Sequence, residues 1–179
     1  MNGVVISLIF VGSSLLLVSE IWAIFTTQAP FIPSPKRLEN EIIETLKLPD
    51  GSVFYDLGCG NAKMLRKASD RYPGIKCVGI EMSFIPYFLS KFLSRNYPNI
   101  HIKMEDILST DISDATHIYL YLLPKILNKT YFKIKNSCQS ETMIFSCDFK
   151  FEDCEPIQSV QLTNPTNTNR ENNLYIYKI

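Results

Sequence analysis

The sequence predicts an α/β domain built on a mostly parallel sheet, finished by an antiparallel C-terminal hairpin and preceded by a transmembrane helix. Three observations carry this expectation. A β-prone run over residues 52–57 passes into Gly58-Cys59-Gly60, after which residues 63–72 read as a helix. Further strand-like runs at 75–80 and 100–104 alternate with helical patterns, the signature of strand-helix-strand units. Ahead of them, residues 3–25 carry a single charge, Glu20, in an otherwise apolar stretch.

The chain has 179 residues, enough for one domain over 30–179 after an anchor over 1–29. As a helix, residues 3–25 would extend about 34 Å, sufficient for a hydrocarbon layer of about 30 Å. Glu20 sits near the end of that stretch beside Trp22, where an interfacial position tolerates it. A cleaved signal peptide is the competing reading, but no Lys or Arg precedes Lys36 and a basic leading region is therefore missing. A helix lying on the membrane is a second alternative, which the apolar residues disfavour by surrounding the segment rather than forming one stripe. Lys36 and Arg37 follow the span, so a single-pass membrane protein with its domain facing the cytosol is expected.

Composition narrows the partners. Lys plus Arg number 18 and Asp plus Glu 18, a balance that provides no broad basic footprint, so no nucleic-acid partner is expected. Five cysteines without a CxxC pair suggest reduced thiols. His101 and His117 stand in separate strand-like segments without other ligands nearby, so no metal site is expected.

The elements follow in order. Pro30, Pro33 and Pro35 stiffen a linker, with Ser34 able to cap a helix whose Leu38, Ile42 and Leu46 share a face. Pro49-Asp-Gly51 turns the chain into the first strand. After the second strand, Ser83 can cap a helix in which Ile85, Phe88, Leu89, Phe92 and Leu93 share a face expected to be core. Too few residues separate Asp106 from Thr116 for a crossover helix, so a turn or short helix is expected. Thr116 to Leu122 forms the fourth strand, beside the first, and Pro124 opens a helix with Leu127, Tyr131 and Ile134 on one side. Residues 141–147 return as a fifth strand. Residues 156–162 and 173–179 make the hairpin, around an asparagine-rich loop expected to be solvated.

The glycine turn defines the ligand. Gly58 and Gly60 lack the third glycine of a dinucleotide fingerprint, and no phosphate P-loop is present. Asp56 at the strand's end would repel a pyrophosphate and attract an ammonium or sulfonium, the charges on the methionine half of S-adenosylmethionine. Glu81 closes the next strand about 20 residues after the turn, where a ribose-binding acid belongs. Asp106 follows the third strand, where it can accept from an adenine amine or simply hold a turn.

Asp56-Leu-Gly-Cys-Gly60 with Glu81 and Asp106 resembles the class I S-adenosylmethionine-dependent methyltransferases. The N-terminal span, the segment Pro30-Phe-Ile-Pro-Ser-Pro35 and Tyr119-Leu-Tyr-Leu-Leu-Pro124 are similar to the small membrane-anchored protein-lysine methyltransferases of the adenine nucleotide translocase and ATP synthase c-subunit group. The likeness spans residue 1 to about 150. It implies a Rossmann-like class I methyltransferase sheet and cofactor contacts from Asp56, Gly58, Cys59, Gly60, Asn61, Glu81, Met82 and Asp106. It also implies that Pro33 and Ser34 close over the cofactor. Asn61-Ala62 departs from the acid and glycine more usual there, so the turn is expected to sit differently.

Methyl transfer is a direct displacement in which positioning and exclusion of water supply most of the rate. A lysine amine must first lose its proton, and an apolar pocket favours the neutral form. Tyr119, Tyr121 and the carbonyls of Leu122 and Leu123 can supply that pocket, with either tyrosine orienting the amine and Pro124 freeing the preceding carbonyl from helix pairing. The expected activity is methylation of a protein lysine, with a membrane protein as the partner. The alternatives are a silent cofactor-binding or scaffolding module, and a methyltransferase for a small-molecule or lipid acceptor.

Overall fold

The computed structural model describes residues 3–27, 38–163 and 172–179. Seven strands form one sheet in the order β3-β2-β1-β4-β5-β7-β6. Four are parallel and central or near-central: β1 (Val53–Leu57), β2 (Lys76–Ile80), β4 (His117–Leu120) and β5 (Met143–Cys147), with β3 (Ile100–Lys103) parallel at the edge. Beyond β5, β7 (Asn173–Lys178) runs antiparallel and pairs with β6 (Gln158–Gln161), giving the expected hairpin. The asparagine-rich loop of the hairpin lies outside the described residues.

Strands buried on both faces read as nearly unbroken apolar runs, as β1, β2 and β5 do. Alternation then sorts their side chains into two layers. On one face, Phe54, Cys77, Tyr119 and Phe145 pack with Ile42 and Leu46 of α2 (Glu39–Leu46) and Leu65 and Ala68 of α3 (Lys63–Arg71). On the other, Tyr55, Val78, Ile118 and Ile144 pack with Leu127 and Ile134 of α5 (Pro124–Ser137). Pro124 opens α5 because its missing N–H is not needed in the first turn. The α2 and α3 helices are also pinned by charge, with Glu39 Oε2 2.7 Å from Lys63 Nζ.

One expected core is not a core. In α4 (Phe84–Leu93), Phe84, Ile85, Phe88, Leu89, Phe92 and Leu93 are all exposed, and Ser90 is the buried residue. Their periodicity does define a face, but α4 lies against β3 at the margin of the sheet and turns that face away from it.

The α1 helix (Gly3–Thr27) is 25 residues long. Its described side chains run unbroken only from Ser7 to Val18, and among the described residues no helix is long and apolar enough to cross a membrane. Apolar side chains stand exposed around this stretch, Phe10, Leu15 and Leu17 among them, while the hydroxyls of Ser13 and Ser14 donate back to the carbonyls of Ile9 and Phe10.

Candidate functional site

Alternation decides which polar groups can meet. Asp56 lies two residues beyond Phe54, Glu81 four beyond Cys77, and Tyr121 two beyond Tyr119, so all three share the α2/α3 face of the sheet. From β1 the chain winds to β2 and β3 on one side, and β4 and β5 fill the other. The carboxyl ends of β1 and β4 therefore flank the switch point, where open α/β sheets form their ligand crevice.

The glycine turn hangs from the end of β2. The amides of Gly58 and Cys59 both donate to the Ile80 carbonyl, at 2.8 and 3.0 Å. The Gly60 amide donates to Glu81 Oε2 at 2.9 Å, and Glu81 Oε1 accepts the Ser83 amide at 2.8 Å. Gly58 and Gly60 have φ of 86° and 54°, in the left-handed region that glycine enters without a Cβ penalty. Gly58 has a second reason, because a Cβ there would stand 3.1 Å from Leu122 Cδ2. Ala62 departs from the rule with φ 57°, a left-handed alanine at the foot of α3. Its amide donates to the Cys59 carbonyl, while the Asn61 carbonyl accepts from Arg66 Nη1 at 2.5 Å. The unusual Asn61-Ala62 pair is thus accommodated by a strained residue and an arginine clamp.

Asp56 is 4% exposed, and among the described residues its carboxyl accepts no hydrogen bond. Burial, and then the charge of nearby Glu81, push its pKa up to about 8. A buried acid raised in this way gains by receiving a cation. The sulfonium and ammonium of S-adenosylmethionine are cations of the right kind, and the turn beside the acid presents bare glycine backbone at Gly58 and Gly60. These residues fit that cofactor.

The remaining expected contacts separate. Met82 follows Glu81 and is half-buried. Asp106 is exposed, and its Oδ1 accepts the Leu108 amide at 3.0 Å while its carbonyl accepts the amides of Ser109 and Thr110. It builds the turn that replaces a crossover helix. Pro33 and Ser34 lie outside the described residues. Tyr119 is 1% exposed, its hydroxyl beside the Cys147 thiol within the core. Tyr121 is half-buried just past the end of β4. The expectation that Pro124 frees the preceding carbonyl is not met, since Leu123 O accepts the amides of Ile126 and Leu127 at 3.1 and 2.9 Å. Leu123 caps α5, so its carbonyl is the helix's first acceptor. The carbonyl of Leu122 accepts no hydrogen bond among the described residues. Among the described residues no cluster of His, Cys, Asp and Glu could hold a metal ion.

Gly79 escaped sequence reasoning. A Cβ on it would lie 2.7 Å from both Cys59 Sγ and Leu65 Cδ1 and 2.9 Å from Ile102 Cδ1, so the turn and α3 can close on β2 only over a bare backbone. A glycine inside an apolar strand was the available signal. Ile107, 3.8 Å from the same hypothetical Gly58 Cβ, gave none.

Three comparisons bear on this geometry. The family model described as the ANTKMT methyltransferase domain matches residues 56–158. A protein-lysine N-methyltransferase of Saccharolobus islandicus (strain REY15A) is 21% identical over 164 residues, covering 87% of this chain and 96% of its own. Among solved structures, an RNA methyltransferase from Salinibacter ruber in complex with S-adenosyl-L-homocysteine superposes with a TM-score of 0.74 at 24% identity, over 83% of this chain and 94% of that one. A methyltransferase from Geobacter sulfurreducens, also with S-adenosyl-L-homocysteine, gives 0.55 at 20% identity over 64% and 48%. At these identities the solved structures speak for the fold.

Proposed function

The chain belongs to the ANTKMT methyltransferase domain family, and from that premise we propose that it methylates the side-chain amine of a lysine in a protein, from a position tethered to a membrane. It is a class I methyltransferase that uses S-adenosylmethionine. The observation that carries the reading is Asp56, a buried acid without a hydrogen-bond partner among the described residues, beside the acid that holds the glycine turn. The named activity of the archaeal relative, which spans nearly the whole domain, supports a lysine acceptor.

When bound, the cofactor supplies a methyl group made electrophilic by the positive charge on its sulfur. The chain's own residues do the rest. Asp56 would release its proton to solvent on binding and set its charge against the cation. Glu81 uses one lone pair on each oxygen for the amides of Gly60 and Ser83 and keeps the others for the ribose hydroxyls. The rim formed by Tyr121 and Leu122 is apolar, which favours the neutral amine. The Leu122 carbonyl can accept one amine hydrogen and so aim the lone pair, while half-buried Tyr121 flanks the acceptor and Tyr119 supports it from the core. The apolar girth of α1 supports the tether, and Lys36 and Arg37 behind it support a domain on the cytosolic side.

Incubating the full chain with labelled cofactor and membranes of its own cell, followed by mass spectrometry of the labelled species, tests the reading. A methylated lysine in a membrane-fraction protein, lost in Asp56→Ala, is the expected result. Cofactor binding without transfer to any protein overturns it in favour of a silent module, and label in lipid alone overturns the acceptor.

A further inference from the structure

The α4 helix is amphipathic with its sides reversed. Ser90, at 0% exposure, faces inward and its hydroxyl donates to the Tyr87 carbonyl at 2.6 Å. Outward stand Phe84, Phe88 and Phe92, four residues apart and each turned about 40° from the last, exposed at 48%, 52% and 62%, with Ile85, Leu89 and Leu93 alongside. At 100° per residue these six positions cover half the helix circumference. Taking about 200 Å² for a large apolar side chain, they present roughly 500 Å² of apolar surface, at the upper end for a typical monomer.

Charge says what covers it. Between Glu81 and Glu105 the chain has Lys91, Arg95 and Lys103 and no acid. Two of these stand at the edge of the aromatic row, with the Arg95 guanidinium 4.4 Å from the Phe92 ring centroid and Lys91 Nζ 5.7 Å from that of Tyr87. A broad aromatic and aliphatic sector with Lys91 and Arg95 along its edge is the pattern of a helix lying in a bilayer interface with anionic headgroups. A protein groove would call for a narrower seam.

We infer that α4 is a second membrane contact, seated in the headgroup region of an anionic bilayer, and that it sets how the catalytic crevice faces the membrane. The link to the crevice is short: α4 starts three residues after Glu81, and the Ser83 amide at its head is bonded to that carboxylate. Seating α4 therefore brings the carboxyl end of β2, and the glycine turn hung from it, to the bilayer surface. The inference rests on the membrane setting proposed above, since the tether delivers the domain to the surface.

The test uses the full chain in phosphatidylcholine vesicles, with and without phosphatidylglycerol, whose acyl chains carry bromine as a quencher. Trp22 is the single tryptophan of the chain, so Trp22→Phe with Phe88→Trp moves the reporter to α4 at an exposed position. An indole at position 88 that is blue-shifted and quenched about twofold by shallow bromines, more strongly with phosphatidylglycerol, is expected. Adding Lys91→Glu and Arg95→Glu should return the quenching to its level without phosphatidylglycerol, and no change on reversal overturns the anionic preference. A solvent-like, unquenched indole at position 88 overturns the inference. If Trp22 of the unaltered chain is quenched in the same vesicles, the tether survives that result. Quenching at position 88 with Trp22 unquenched supports α4 and removes the tether instead. A blue-shifted but unquenched indole means that protein covers the face, through α1 or a second copy, and overturns it too.

Discussion

The carboxyl ends of β1 and β2 carry one acid each, both nearly closed to solvent, and they are treated in opposite ways. Glu81 has an amide on each oxygen, so its charge is compensated by the protein itself. Asp56 has none, and burial beside that charge raises its pKa to about 8. The acid with partners is architecture that a ligand can borrow. The acid without them is left uncompensated by the protein, at a cost to the fold. Burial alone would rank the two alike, and only the hydrogen bonds tell scaffold from receptor.

Removing the compensated acid should have the largest effect. Glu81→Ala strands two amides of the turn and is expected to lower unfolding free energy by about 3 kcal/mol, with cofactor binding lost as well, in denaturant melts and calorimetry. Glu81→Gln, which keeps one acceptor oxygen, should fall between. Asp56→Asn should act with opposite sign on the fold: on the order of 2 kcal/mol more stable at pH 8, yet unable to hold the cofactor. The pH dependence follows from the raised value. A carboxyl ordinarily at 3.8 and held at about 8 keeps its proton in the folded chain when the unfolded chain has lost it, so stability declines as pH rises across that interval and is flat beyond it. Cofactor affinity should move the other way, climbing from pH 6 to about pH 8 because binding must ionise Asp56, and Asp56→Asn should abolish both slopes. If wild-type stability is flat from pH 5 to 8, the contrast between the two acids fails.

Gly79→Ala probes the contact that lets the two strand ends share a turn. Its Cβ meets Cys59 and Leu65 at 2.7 Å, and a loss of about 1–3 kcal/mol in thermal melts is expected. Asp106→Asn should be the smallest. An asparagine can keep the turn's hydrogen bond to the Leu108 amide, so stability should shift by less than about 0.5 kcal/mol and cofactor affinity by less than about tenfold.

Much of this site was legible in the chain because its elements are local. Residues 52–62 contain a strand end, an acid and two glycines whose φ values demand glycine, and Glu81 follows at a fixed distance along the next strand. What escaped depends on relations between elements. Periodicity identifies the apolar face of α4 but does not say on which side of it the sheet lies, and at a sheet edge that choice reverses burial. The two tyrosines of the fourth strand alternate identically in sequence, yet β4 ends at Leu120, so Tyr119 is closed into the core and Tyr121 stands at the rim. The Leu123 carbonyl looked available until α5 began one residue later and took it as a cap.

The glycine turn proposed to hold the methyl donor also carries a sulfur of its own. Burial, with Asp56 and Glu81 adding to it, lifts the Cys59 thiol well above its ordinary value, and burial raises Cys77 and Cys147 to about 12 and Cys138 to about 11. A neutral thiol is a poor nucleophile. Burial first, and the two acids after it, keep the Cys59 thiol protonated, so a donor bound beside the turn would meet a thiol that is slow to take its methyl group.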